Sequence, residues 1–179
     1  MGMEARRFHK GMFAVTLLLL STVAQGASVT LSLADGARVS DTVTVTASVV
    51  GFETTGVRQV VFRIDNQPVA EDTSVPYSFI WDTLVYTEGQ HTLEAIATDM
   101  EGNTARASVN VVVDNELTKG AEYHGRMALE ALERKDLETA RRYARRANTV
   151  DPNNLLAARA LASLHASARE YNQAIRILE

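Results

Sequence analysis

The strongest constraint on this chain is a change of hydrophobic period. From Ser28 to Val113 apolar residues recur at every second position, and beyond Asp114-Asn115 they recur at helical spacing. A period of two builds half-buried strands and a period near 3.6 builds amphipathic helices, so no single fold class serves both halves. The 179 residues suffice for two modules, and 46% hydrophobic with 22% charged residues is ordinary globular composition. Cysteine is absent, which excludes a disulfide framework, a thiolate zinc site and a cysteine nucleophile.

Ahead of both patterns lies a targeting segment at residues 1–26. Arg6, Arg7 and Lys10 precede a mostly apolar run from Met12 to Val23, and Ala24-Gln25-Gly26 sets small residues before a cut at Ala27. Together these features read as a secretory signal peptide. Thr22-Val23-Ala24 serves the peptidase equally, so cleavage at Gln25 stays open. As a helix the apolar run would reach about 18 Å, short of a hydrocarbon core of about 30 Å, so no membrane span is expected after cleavage. The chain is expected to be exported, to the periplasm or the cell surface.

Within residues 27–114, Val43, Val45, Ala47 and Val49 alternate with threonine and serine, as do Val60, Phe62 and Ile64 with Val61 and Arg63. Tyr77, Phe79 and Trp81 share one face, and Leu93, Ala95, Ala97 and Val109, Val111, Val113 follow after turn signals. Seven short strands in this span predict an antiparallel sandwich. The segment carries twelve acidic and four basic side chains, a net −8 that repels nucleic acid and anionic lipid. The stretches Val75-Pro-Tyr-Ser-Phe-Ile-Trp-Asp82 and Ala97-Thr-Asp-Met-Glu-Gly-Asn103 resemble a bacterial immunoglobulin-like domain. That resemblance implies a sandwich of Ig or fibronectin-III type serving as a spacer or adhesive module. Asp99 and Asn103 are read as bonding their own turn rather than calcium, which needs six to eight closely spaced oxygens. Trp81 is read as core rather than as a platform for a sugar ring.

Residues 115–179 predict four helices, with breaks at Lys135-Asp136, at Asp151-Pro152-Asn153-Asn154 and before Tyr171. Glu133-Arg-Lys-Asp-Leu-Glu-Thr-Ala140 recurs as Ser167-Ala-Arg-Glu-Tyr-Asn-Gln-Ala174, a spacing of 34 that resembles the tetratricopeptide repeat, here one complete repeat and a second, truncated one. Ala128, Ala140, Ala147 and Pro152 carry the resemblance, although Ala144 stands where that family places an aromatic residue. The family lines its binding groove with the first helix of each pair. Carried onto this sequence, the candidate groove residues are Glu122, Leu129, Leu132, Glu133, Leu156, Arg159 and Ser163. Arg141, Arg142, Arg145 and Arg146 interleave with Glu130, Glu133 and Glu138 and read as a solvated face with i,i+4 pairs.

Catalytic motifs are missing from the sequence. His91, His124 and His165 share no H-x-x-x-H or nucleophile-elbow context, and no phosphate or dinucleotide fingerprint occurs. The expectation is therefore multidomain: an all-β Ig-like sandwich followed by an all-α tetratricopeptide-type repeat, with no catalytic residue, metal or cofactor. The favoured function is a non-enzymatic scaffold that docks a protein or peptide in the helical groove. The alternative makes the sandwich an adhesin-like or carbohydrate-binding module with the repeats as anchor.

Overall fold

A computed structural model describes residues 26–179, so the export segment lies, but for Gly26, outside the described residues. Eight strands are followed by four helices. The strands are β1 (Ser28–Leu31), β2 (Ala37–Val39), β3 (Thr42–Val50), β4 (Val57–Ile64), β5 (Gln67–Asp72), β6 (Tyr77–Asp82), β7 (Gly89–Asp99) and β8 (Thr104–Val113). They form two sheets, one ordered β1-β3-β6 and the other β2-β8-β7-β4-β5. β-Branched residues on alternate positions of β3 stiffen an extended backbone and send Val45 and Ala47 inward. Between β4 and β5 the two-residue turn Asp65-Asn66 has positive φ at both positions, the geometry whose twist suits a tight hairpin.

The inner faces meet in one apolar core containing Val45, Val60, Phe62, Trp81, Leu93 and Val111. Phe62 and Phe79 lie 4.8 Å apart between ring centroids, and Trp81 meets Tyr86 edge-on at 5.6 Å. The structure has one strand more than the seven read from the sequence. The addition is β2, and it runs parallel to β8, so the sandwich is not wholly antiparallel. Three residues are too few to display a period. β2 is fixed instead by its flanks: the Asp35 carboxylate accepts from the Asn110 amide at 2.7 Å, and the Asp114 amide donates to the Val39 carbonyl at 2.9 Å.

The helices are α1 (Ala121–Glu133), α2 (Leu137–Val150), α3 (Leu155–Ser167) and α4 (Tyr171–Leu178). Asp136 caps α2 by accepting from the Thr139 amide, and Asn154 caps α3 by accepting from those of Leu156 and Ala157. Ala128, Ala131, Ala140, Ala144 and Ala160 are fully buried, and their small side chains let the helix axes approach. At Gly125 the approach is closest, since a Cβ there would stand 2.6 Å from that of Leu156. The helix turns repeat in their backbone geometry. Lys135 and Arg169 both take the left-handed conformation, and the Asp136 and Glu170 amides donate to Ala131 and His165 carbonyls respectively.

Sandwich and helices have separate apolar cores, and polar groups hold the joint between them. Arg146 of α2 reaches across to Asp41 through two hydrogen bonds of 2.6 and 2.8 Å, both side chains being buried, and also lies 3.4 Å from Glu116. Buried Asn115 accepts from the Asp41 amide at 2.7 Å and from the Thr83 hydroxyl at 3.0 Å. Arg145 donates to Thr42 and Asp82.

Candidate binding groove

The first helices of the two pairs, α1 and α3, carry the face on which the groove was expected. α1 begins after Gly120, whose φ of 84° ends the preceding 3-10 turn at Leu117–Lys119. From that start the helical period places Leu129 and Leu132 together on one side. α3, started by its Asn154 cap, brings Arg159 and Ser163 opposite them.

These elements enclose a concavity of ≈ 530 Å³ lined by Leu129, Leu132, Glu133, Lys135, Leu137, Arg159, Ser163 and Ser167. Five of the seven residues picked from the sequence are therefore brought together: Leu129, Leu132, Glu133, Arg159 and Ser163. Glu122 is exposed in the first turn of α1, away from the concavity. Leu156 is also outside it; half-buried, it sets its Cβ against Gly125.

Ser167, at the end of α3, lay outside the seven, and sequence reasoning missed Lys135 and Leu137. Lys135 belongs to the α1–α2 turn, where it takes the left-handed conformation, and Leu137 begins α2. The Lys-Asp break was the available signal, but it marked only where a helix stops. Three leucines thus offer an apolar surface, edged by two cations, one carboxylate and two serines. The Ser167 hydroxyl is committed to the Ser163 carbonyl at 2.8 Å. A volume in the range of small-ligand and side-chain sites, with few polar groups converging on apolar walls, suits an apolar side chain followed by a charged or polar one.

The arginine cluster of α2 forms the expected solvated face only in part. None of its members pairs with a glutamate of its own helix or of α1 among the described residues. Arg145 and Arg146 are instead spent on the sandwich, while Arg141 and Arg142 are exposed.

The other two site candidates resolve by geometry. Asp99 accepts from the amides of Glu101 and Asn103 and from the Asn103 side chain, and these bonds hold its carboxyl below the usual carboxylate range although burial opposes them. The turn uses the aspartate on itself. Trp81 is 1% exposed and offers no face to a sugar ring. Among the described residues no three histidine or acidic side chains converge as a metal site would need, and no helix is long and apolar enough to cross a membrane.

Comparison with known proteins assigns the β half to a class. Residues 27–95 match the family profile described as Bacterial Ig domain, a match that ends inside β7. The chain thus contains an Ig-like module, followed by an all-α region of four helices. Among solved structures, it is similar to the fibronectin(III)-like modules of Clostridium thermocellum CbhA at 23% identity and a TM-score of 0.42, covering 49% of this chain and 46% of that one. An endo-beta-1,4-mannanase from Thermotoga petrophila gives 20% identity and a TM-score of 0.44, covering 50% of this chain and 20% of that one. The PKD1 domain of Vibrio anguillarum Epp gives 18% and 0.37, covering 50% of this chain and 95% of that one. The chain spans less than half the length of the first two. No curated protein matches it.

Proposed function

We propose that the protein is an exported, non-enzymatic interaction protein in which an Ig-like module carries a tetratricopeptide-type helical unit that docks a protein or peptide. The observation that carries this reading is the groove itself: Leu129, Leu132 and Leu137 exposed to one concavity beside Lys135 and Arg159. The matched turns at Lys135 and Arg169, 34 residues apart, support the repeat reading. The joint formed by Arg146, Asp41 and Asn115 supports a role for the sandwich in fixing where the groove points. Export rests on the residues before Ala27.

Selection of displayed peptides against the full chain tests the docking role. Selected peptides should lose binding to Leu132→Asp and weaken at least tenfold against Arg159→Glu, a change of about 1.4 kcal/mol. Peptides or glycans that bind both variants as well as the parent chain would move the function to the sandwich. For export, N-terminal sequencing of material from a secreting host should begin at Ala27 or Gln25. Recovery of Met1 would remove that part of the proposal.

A further inference from the structure

Two buried histidines, one in the sandwich and one in α1, have surroundings that make opposite demands on the proton. His91 lies on β7 and 7% exposed. Its Nδ1 is 2.6 Å from an Asp65 carboxylate oxygen and its Nε2 is 2.8 Å from the Thr87 carbonyl. Both neighbours are acceptors, so only the imidazolium, with two N–H donors, satisfies both. A neutral ring would turn a lone pair toward one of them. The groups facing this ring are Asp65 from the β4–β5 turn, Tyr86 and the Thr87 carbonyl from the loop after β6, and Trp81 from β6 itself.

The loop that His91 bonds also bonds the segment leading into the helices. Within residues 83–88, the Thr83 hydroxyl donates to Asn115 and the Glu88 carboxylate accepts from the Leu117 amide at 2.9 Å. On the other side of the joint, His124 of α1 is fully buried. Its Nε2 is 2.9 Å from the Glu116 carbonyl, whereas Nδ1 has no partner among the described residues. The neutral tautomer with the proton on Nε2 suits this place. A second proton would leave a charged N–H with no acceptor in a closed space. His124 stacks on Tyr143, over whose ring Arg146 also lies, and Tyr123 of α1 together with Glu116 and Lys119 of the preceding turn complete its charged and titratable surroundings.

We propose that the sandwich–helix joint is a latch bracketed by pH: it is closed while His91 is charged and His124 is neutral, acid loosens it at His124, and alkali loosens it at His91. The electrostatics agree with the geometry. Burial alone would depress His91, but the hydrogen bonds to Thr87 and Asp65 outweigh it and raise its pKa. Burial, aided by the Arg146 charge, lowers that of His124 against the Glu116 hydrogen bond. The raised histidine contributes stability present below its unfolded value and lost as pH rises through the folded one. The lowered histidine contributes stability present above its unfolded value and lost as pH falls through the folded one. The closed window therefore straddles the ordinary imidazole value of about 6.5.

Hydrogen-exchange protection factors of the full chain, measured from about pH 4 to pH 9, test the latch. The amides of Asp41, Leu117 and His124, which are bonded across or beside the joint, should be most protected within the window and lose about tenfold per unit of histidine pKa displacement on each side. Val60 and Leu93, at the sandwich centre, should not follow the acid limb. His91→Gln should remove the alkaline limb alone and His124→Gln the acid limb alone. Should a variant fold poorly, imidazole NMR titration of the parent chain decides: His91 must titrate above and His124 below the ordinary value, each in step with its limb. Flat protection across the range, ordinary titration of both rings, or both limbs surviving in the double variant would overturn the proposal.

Discussion

Trp81 sits between the two sheets with Tyr86 and His91 edge-on to its ring, and its indole N–H donates to nothing among the described residues. Its contribution is therefore area removed from water and close contact, and truncation would leave a cavity bounded by two sheets that cannot both move in. Trp81→Ala should cost about 3–5 kcal/mol in equilibrium denaturation, and a loss below about 1 kcal/mol would show that the ring is not core. This role was legible because β6 alternates around it. Asp99 was legible too, through the glycine and asparagine of its turn. Arg146 was not: its partner Asp41 is 105 residues away, and a buried guanidinium in a run of four arginines looks the same on paper as a solvated one.

At the level of elements, short alternating runs announced β3, β4, β6 and β8, and apolar residues at helical spacing announced all four helices. β7 extends at both ends beyond the Leu93–Ala97 stretch that alternation marks, because pairing with β8 carries it through Gln90 and Thr98. Helix contacts were harder to read, since small residues signal a close approach without naming its partner. Gly125 is the clearest case. It looks like a helix-weakening residue in sequence, but a side chain there would collide with Leu156 and the backbone of Ala157. Gly125→Ala should therefore destabilise by about 1–3 kcal/mol, despite alanine's better helix propensity. Thermal melts followed by helical circular dichroism would register this, and a stabilised variant would mean that α3 gives way freely. The same contact explains why Leu156 belongs to packing while Leu129 and Leu132, one and two turns further along α1, remain open to the groove.

For the molecule as a whole, the joint matters most, and it was invisible in the sequence because charge pairing over long separations has no period. Arg146→Met should cost about 3–5 kcal/mol by leaving the Asp41 carboxylate buried without its counter-charge. Adding Asp41→Asn, which tolerates the positive φ at that position, should recover part of the loss. A double variant no better than the single one would show that packing, not charge, holds the units together. One further consequence lies in how β2 meets β8. Ala37, Arg38 and Val39 pair in parallel with Val111, Val112 and Val113, just before the chain leaves for the helices. Tension applied between the chain upstream of β2 and the helical unit pulls these two strands in opposite directions along their own axes. Their hydrogen bonds then bear the load together rather than parting one after another, and the Arg38–Asp114 ion pair joins the same two segments. Under a pulling force the sandwich should act as a shear clamp, yielding in one abrupt step in single-molecule extension.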